Sequence, residues 1–599
     1  MKTPMKFERL PSAFKDASDK RLPLPEYPRP QMARDSYINL NGLWDYAILP
    51  IGEKLTAYQG KILVPFSPES LLSGVERTVT PSDALYYRRT FGLPDGFKKG
   101  RVLLHFGAVD YRAEIFVNGY RAFEHRGGYN AFYIDITAFL SDGDNVLTLT
   151  VTDPSDDGVG ACGKQKIDRG GIFYTPQSGI WQTVWLESVP KNYIKSLRIT
   201  PNIDAEEVLL EIDAPNCKNA EVTIYDGDKP VASGLFDCGI SDNGGDSHGF
   251  EVTASAVIKL SDAKLWSPEQ PFLYDARIVV DDDTVTTYFG MRKFGIEKDD
   301  KGIPRLTLNN RPYFHNGLLD QGYYSDGLYT PPSDAAMRFD IESAKRMGFN
   351  TLRKHIKVEP LRWYYHCDRI GMLVWQDMVN GGARGISPLG AIRGFLGLRM
   401  KDSYKPEGRC DSDRRAEFYR DTKNTLDALY NVVSIAVWVP FNEGWGQFDA
   451  KKVYDFVRSI DKTRAIDHAS GWHDQGCGDF KSLHIYFKKI KVPKDVRPII
   501  LSEYGGYSLK IDGHIFNKNK IFGYRKFNDP DSLSAAYRAL IDEQIVPMIP
   551  RGLTAAIYTQ LTDVEDEVNG FITYDRKIFK IDPAVLAEIN GRVKLKSEN

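Results

Sequence analysis

The chain has 599 residues, with 78 Lys plus Arg against 80 Asp plus Glu, a formal charge of −2 and a pI near 6.6. That length exceeds what one hydrophobic core can serve and predicts two to four domains. The balanced charge gives no long-range pull toward nucleic acid or an anionic membrane surface. No run is long and apolar enough to span a membrane, and Met1 to Asp16 lacks the apolar stretch of a secretory signal, so a cytoplasmic location is expected. The six cysteines, Cys162, Cys217, Cys238, Cys367, Cys410 and Cys477, form no CxxC pair. Free thiols are expected, with no zinc site and no disulfide framework.

Residues 1–190 read as short alternating strands separated by turn signals, among them WDYAI from Trp44, RVLLHFG from Arg101, AEIFVNG from Ala113 and NVLTLTV from Asn145. Asn118–Gly119 is a hairpin turn of the favoured type, and the strand count suits a β jelly-roll sandwich. From Cys162 to Gln177 the chain is rich in Gly and polar residues and loses its alternation, which fits a functional loop and a disordered connection equally. Alternation resumes over 191–290 in SLRITPNI, VLLEIDA, AEVTIYD and ARIVVDD, the spacing of an immunoglobulin-like β-sandwich. Its turn at Leu265 to Pro268 reads as a packing anchor.

Over 291–599 short apolar strands alternate with helical periods such as Met337, Ile341, Ala344 and Met347, which follow the N-cap types Ser333 and Asp334. Eight strands are expected, at Tyr313, Asn350, Leu373, Ser434, Ala465, Ser482, Pro498 and Ala555. That count predicts a (β/α)₈ TIM barrel, with its site at the C-terminal strand ends. No Gly-rich phosphate loop follows any strand, which disfavours a doubly wound sheet.

The chemistry concentrates at two of those ends. IAVWV, Ile435 to Val439, reads as a buried strand that Pro440 terminates for want of an N–H, and Asn442 and Glu443 follow at once. PIILSEYGGY, from Pro498, delivers Glu503 in the same way. Two facing carboxyls are what glycosidic bond cleavage requires, one to protonate the leaving oxygen and one to act as nucleophile or base. Spacing alone leaves retaining and inverting chemistry open, since about 5 Å between the carboxyls marks the first and 6.5–9.5 Å the second.

Other polar residues converge on the same mouth: Asp320 and Gln321 after strand one, Arg353 and His355 at strand two, Asp377 at three, His468 at five, His484 and Tyr486 at six, and Gln560 and Asp563 after eight. His355 and His484 read as site residues or as core histidines bonded to backbone, and His468 as a structural contact. Trp472 offers a stacking face for a sugar, while Asp377 and Asp563 bind hydroxyls or cap loops. Val379 to Arg409, with Gly381, Gly382, Gly385 and Gly390, has no clear strand and reads as a lid or a subunit contact, which leaves a homo-oligomer open.

NLNGLWDY (Asn39 to Tyr46), QSGIWQTVWLE (Gln177 to Glu187), NTLRKH (Asn350 to His355), FNEGWG around Glu443 and LSEYGG around Glu503 occur in this order. In that combination the chain resembles glycoside hydrolase family 2, the family of bacterial β-galactosidases, β-glucuronidases and β-mannosidases, over nearly its whole length. The resemblance implies a sandwich, an immunoglobulin-like domain and a barrel in that order. It implies a retaining double displacement with Glu443 as acid/base and Glu503 as nucleophile. It also implies Asn442 on the sugar 2-hydroxyl, Arg353 beneath the nucleophile and Tyr486 bonded near it. The chain departs from the pattern in three places. YNVVSIAVW, from Tyr430, lacks a His-Pro pair before strand four. LLDQGYY, from Leu318, lacks the histidine and acidic group of the larger β-galactosidases' metal site, so neither metal nor cofactor is expected. VEDEVNGFITYDRK, Val564 to Lys577, lacks the Asn-x-Lys signature that holds a glucuronide carboxylate, although Arg or Lys elsewhere can serve. The expectation is an exo-acting β-glycosidase, first a β-galactosidase, with a β-glucuronidase, a β-mannosidase or a catalytically inactive carbohydrate-binding protein as alternatives.

Overall fold

The alternation in Asn145–Thr152 becomes a strand with every second residue buried. It pairs antiparallel with Asp83–Phe91 on one side and Arg112–Val117 on the other, inside a six-stranded sheet. A four-stranded sheet carries Val184–Val189 and Arg101–Phe106, and side chains such as Trp44, Leu104, Ile115, Leu149 and Leu186 share one core. Each fully buried aliphatic of this kind contributes about 1.5–3 kcal/mol. Asn118 and Gly119 both sit at positive φ, 51° and 83°, and close the expected hairpin. The computed structural model describes residues 10–595 apart from positions 18, 159, 240–249, 382–387 and 406.

The second sandwich has two four-stranded antiparallel sheets around Ile199, Leu210, Ile224 and Ile278. The N-terminal segment stitches the sandwiches together. Ala33 bridges to Thr286, and the Arg34 guanidinium reaches Asp283 in the second sandwich and Glu187 in the first at 2.8–3.1 Å. Trp266 is fully buried and donates its indole N–H to the Asp368 carbonyl at 2.8 Å, anchoring the second sandwich on the barrel.

All eight expected barrel strands form: His315–Asp320, Thr351–Lys354, Leu373–Asp377, Ile435–Val439, Ala465–Ile466, Lys481–Ile485, Ile499–Tyr504 and Leu553–Tyr558. They are parallel, and their neighbours run five-four-three-two-one-eight-seven-six, the sequential order of a TIM barrel. Side chains stitch the seam between strands five and six, where Ser482 Oγ donates to Asp467 Oδ2 at 2.8 Å. The helix Asp334–Arg346 starts where expected, with Ser333 Oγ accepting from Ala336 N and Met337, Ile341 and Ala344 buried. A three-stranded sheet from Phe294 to Pro312 covers the opposite end of the barrel, with Arg305 bonded to the carbonyls of Ile549 and Leu553. Catalytic-type residues are therefore left to the C-terminal rim. Among the described residues no helix is long and apolar enough to cross a membrane.

Candidate active site

Strand four is buried along its whole length and ends at Pro440 as its sequence requires. The chain then turns through left-handed backbone at Glu443 (φ 53°), Gly444 (φ 74°) and Gly446 (φ 68°). A non-glycine residue held there costs of order 1–3 kcal/mol, and such residues concentrate at functional sites. The turn is pinned by Glu443 N donating to the Ser470 carbonyl at 3.0 Å and by His473, which would lie 2.2 Å from a Cβ on Gly444.

Arg353, fully buried at the end of strand two, ties four strand ends together. It binds Asp377 bidentately at 2.9 Å, donates to Glu503 Oε1 and the Ser502 carbonyl at 3.1 Å, and donates to Asn442 Oδ1 at 2.9 Å. Fixing the Asn442 oxygen leaves its amide N–H groups for a ligand. Tyr486 Oη donates to the other oxygen of Glu503 and stacks on Tyr524 at 4.0 Å. Burial pulls the Glu503 carboxyl upward, but His484, Arg353, the Tyr486 hydrogen bond and Lys164 overcome it and hold it below the usual carboxylate range. Burial pushes Asp377 up to about 6 despite Arg353.

His484 stands between the two glutamates. Its Nδ1 is 2.9 Å from Glu443 Oε1 and its Nε2 is 3.7 Å from Glu503 Oε1. Polar atoms of Glu443, His484 and Glu503 all lie within 4.8 Å of one another. They are the one cluster among the described residues with the donor types and spacing for a metal ion. One oxygen of Glu443 and one of Glu503 therefore lie within 4.8 Å of each other.

Beside this cluster runs a chain of buried amides. His355 Nδ1 meets Gln321 Oε1 at 2.9 Å, Gln321 donates to Gln560, Gln560 to Asn569, and Asn569 to Glu567 Oε1. His355 Nε2 keeps no hydrogen-bond partner and points between Asp377 and Glu503, at 3.8 and 3.7 Å. Burial, then Lys164, Arg353 and His484, hold its ring well below the ordinary histidine range against the approach of Asn442, which favours the charged form.

The loop Cys162 to Gln177 is ordered and belongs to this mouth. Cys162 N and Gly163 N both donate to the Asn380 carbonyl at 3.0 Å, Arg169 pairs with Glu565 and Asp566, and Tyr174 Oη donates to Glu567 Oε2. Of the two readings its sequence allowed, the disordered connection is excluded.

Asn442, Arg353, His355, His484 and Tyr486 thus meet around Glu443 and Glu503, and Gln560 joins them through Gln321 and His355. Trp472 lies beside them, its ring 6.3 Å from His484 and packed against Phe395. Asp377 serves Arg353 and is reached through it. Two expected residues are not brought in. Asp320 is locked to Lys354 at 2.6 Å on the outer side of the barrel wall, because neighbouring residues on strand two point in opposite directions and only Arg353 faces inward. Asp563 is held by Lys580 at 2.6 Å and by Gly570 N. His468 makes the structural contact expected, accepting from Gln475 N at 3.2 Å. Val379 to Arg409 lies partly outside the described residues, Gly382 and Gly385 included. Its described end crosses the turn after strand four, where Arg409 donates to the Gly446 carbonyl. Sequence reading named none of Lys164, Tyr174, Glu567 and Asn569 as site residues; the length and glycine content of the loop 162–177 were the signal for the first two, while the other two lie in the stretch Val564 to Lys577.

Family models match the chain in three consecutive stretches: "Glycosyl hydrolases family 2, sugar binding domain" over 68–190, "Glycosyl hydrolases family 2" over 192–292 and "Glycosyl hydrolases family 2, TIM barrel domain" over 330–529. A Formosa agariphila protein carrying a β-glucuronidase name is 28% identical over 454 residues, 68% of this chain and 48% of the relative. A β-galactosidase of Leuconostoc mesenteroides is 26% identical over 404 residues, 62% of this chain and 35% of the relative. The chain thus spans between about a third and a half of the length of these two curated relatives. Among solved structures, a β-D-glucuronidase from Dictyoglomus thermophilum aligns over 94% of this chain and 98% of its own with a TM-score of 0.70 at 18% identity, a likeness of fold.

Proposed function

The chain belongs to glycosyl hydrolase family 2, and from that premise we propose that it is an exo-acting, retaining β-glycosidase that works by double displacement. The observation that carries the reading is the closeness of the Glu443 and Glu503 carboxyls, one oxygen of each lying within 4.8 Å of the other across the barrel mouth. Inversion needs room for a water between them, and about 6.5–9.5 Å would be required. The sandwich loop that walls one side of the mouth fits removal of a terminal sugar better than passage of a long chain.

In the first step an oxygen of ionised Glu503 attacks the anomeric carbon while Glu443, in its acid form, gives its proton to the leaving oxygen. The glycosidic C–O bond breaks, the aglycone departs as an alcohol, and a glycosyl ester of Glu503 remains. In the second step Glu443, now a carboxylate, takes a proton from water. The water oxygen attacks the same carbon, Glu503 leaves as carboxylate, and the sugar departs with its configuration retained. Arg353 and Tyr486 hold the nucleophile charged and aimed, Asn442 meets the 2-hydroxyl, and His484 orients the acid/base carboxyl against the nucleophile.

For the glycone, the missing Asn-x-Lys signature favours a β-galactoside, whereas the buried cation Lys164 at the same mouth favours a β-uronide. Hydrolysis of a panel of nitrophenyl glycosides by the wild type and Glu503→Gln, with product anomers followed by NMR, tests the reaction. The β-anomer formed first, and lost in the variant, is the expected result. First formation of the α-anomer would overturn the retaining mechanism, and sugar binding with no cleavage of any panel member would leave a binding protein.

A further inference from the structure

Four lysines are buried among the described residues, and three are fully engaged. Lys354 holds Asp320 and Glu359 at 2.6 and 2.7 Å. Lys357 holds Glu359 and the carbonyls of Gly322 and Tyr329. Lys580 holds Asp563 and the Val568 carbonyl. Lys164 is the fourth, 7% exposed, and its ammonium makes no hydrogen bond or ion pair with any described residue. Its nearest ring, Phe173, lies 5.9 Å away. An ammonium carries three donors and no acceptor, and Lys164 Nζ, on an otherwise buried side chain, keeps some solvent contact, so its donors face a space that a ligand can enter.

The position is held on purpose. The Lys164 carbonyl accepts from Tyr174 N at 2.9 Å, and Gly163 before it has no room for a Cβ, which would lie 3.0 Å from the Ile356 carbonyl and 2.9 Å from Tyr129 Oη. The loop is clamped at its far end by Arg169 on Glu565 and Asp566. The charge so placed acts on Glu503, His355 and Glu567. None of them completes its bonding. Glu503 is taken by Arg353 and Tyr486, and the two oxygens of Glu567 by Tyr174 and Asn569. The Lys164 donors are thus left to water or to an acceptor that a ligand brings. A sugar hydroxyl needs no full charge opposite it, whereas a carboxylate offers two acceptors and neutralises the amine. Burial also lifts the Glu567 carboxyl above its ordinary range, which lessens its repulsion of such a group.

We propose that Lys164, delivered to the barrel mouth by the long loop of the first sandwich, binds the carboxylate of a uronic acid in the glycone position, so that the enzyme's substrates are β-uronides. Lys164 does from the sandwich side what the strand-eight segment Glu567-Val568-Asn569 has no cation to do. The inference rests on the β-glycosidase reading above.

The test is kcat/KM of the full chain for nitrophenyl β-D-glucuronide and β-D-galacturonide against the matched β-D-glucoside and β-D-galactoside, in wild type, Lys164→Met and Lys164→Arg. Wild type is expected to prefer a uronide to its neutral partner. Lys164→Met should lower the neutral values only by the lysine's share in holding Glu503 ionised, which comes after those of His484, Arg353 and Tyr486, and the uronide value by about 10²- to 10³-fold beyond that, with Lys164→Arg recovering part of the uronide loss. The melting temperature of Lys164→Met should not fall, because the replaced amine bonds nothing in the fold. Wild-type cleavage of neutral glycosides with uronides untouched would overturn the inference and leave the glycosidase intact. An equal loss on both classes in Lys164→Met would also overturn it, and no cleavage of anything would remove the reaction itself. Should Lys164→Met not fold, inhibition of the wild type decides: free glucuronate or galacturonate should inhibit at least about tenfold more tightly than glucose or galactose, and equal inhibition overturns the inference.

Discussion

Two glutamates in this molecule sit beside buried arginines, and on the proposed mechanism only one of them reacts. Glu187, at the joint of the two sandwiches, is fully buried, with Oε1 accepting from Tyr27, Trp185 and Arg29 and Oε2 from Arg34 and Arg29. Burial pulls its carboxyl up, but Arg29, His105 and Arg34 hold it below the ordinary range. Glu503 has the same depressed carboxyl and a guanidinium beside it that is fully buried. What differs is the surroundings. At Glu187 every carboxylate oxygen is committed to the protein. At Glu503 the neighbourhood keeps unused capacity: the Asn442 amide N–H groups, His355 Nε2, the Lys164 ammonium and the second glutamate, Glu443. A perturbed buried carboxylate marks a staple as readily as a site, and unspent hydrogen-bonding capacity around it tells them apart.

The sharpest break of the comparison exchanges the two losses. Glu503→Gln is expected to lower turnover by at least about 10⁴-fold, because no other group in the mouth can form the glycosyl ester, while Arg353 keeps Asp377 and the fold holds. Substantial activity in the purified variant would remove Glu503 from the chemistry. Glu443→Gln should cost roughly 10²- to 10⁴-fold, most with alkyl aglycones and least with nitrophenol, which needs little help in leaving. A loss independent of the leaving group would mean that Glu443 is not the acid.

Glu187→Gln should do the reverse. Removing the anion leaves Arg29 and Arg34 short of a partner and costs about 3–5 kcal/mol in stability, read by denaturant unfolding, while the surviving folded protein keeps its kcat. The sign with pH is fixed by the depressed carboxyl. Its stabilisation is fully present above the ordinary glutamate range near pH 4.3 and is lost as pH falls below it, so wild type and variant should converge in acid. A constant gap down to low pH would mean that the staple does not work through its charge.

The barrel was legible in the sequence because each of its strands is a short apolar run with a punctuating residue. Glu443 and Glu503 were legible because they stand where a strand stops. Period-two alternation and the Asn118–Gly119 turn disclosed the first sandwich in the same way. Local pattern fails where partners come from far along the chain. Asp320 and Asp563 looked like site residues because they end strands, but Lys354 and Lys580 claim them, and strand register carries no information about such pairings. Lys164 and Tyr174 were invisible for the converse reason. Nothing in a Gly-rich loop of the first sandwich says that it crosses to the barrel and meets residues 565–567, some 390 positions on.

The smallest expected effect probes how Glu503 is kept charged. Tyr486 gives that carboxylate a hydrogen bond that favours the ionised form, but it acts behind His484 and Arg353, which remain in Tyr486→Phe. Losing the phenol O–H must raise the Glu503 pKa, so the acid limb of the kcat/KM profile moves to higher pH, and the rate on the plateau falls by about tenfold. An unmoved profile would mean that His484 and Arg353 suffice, leaving Tyr486 as packing for Tyr524.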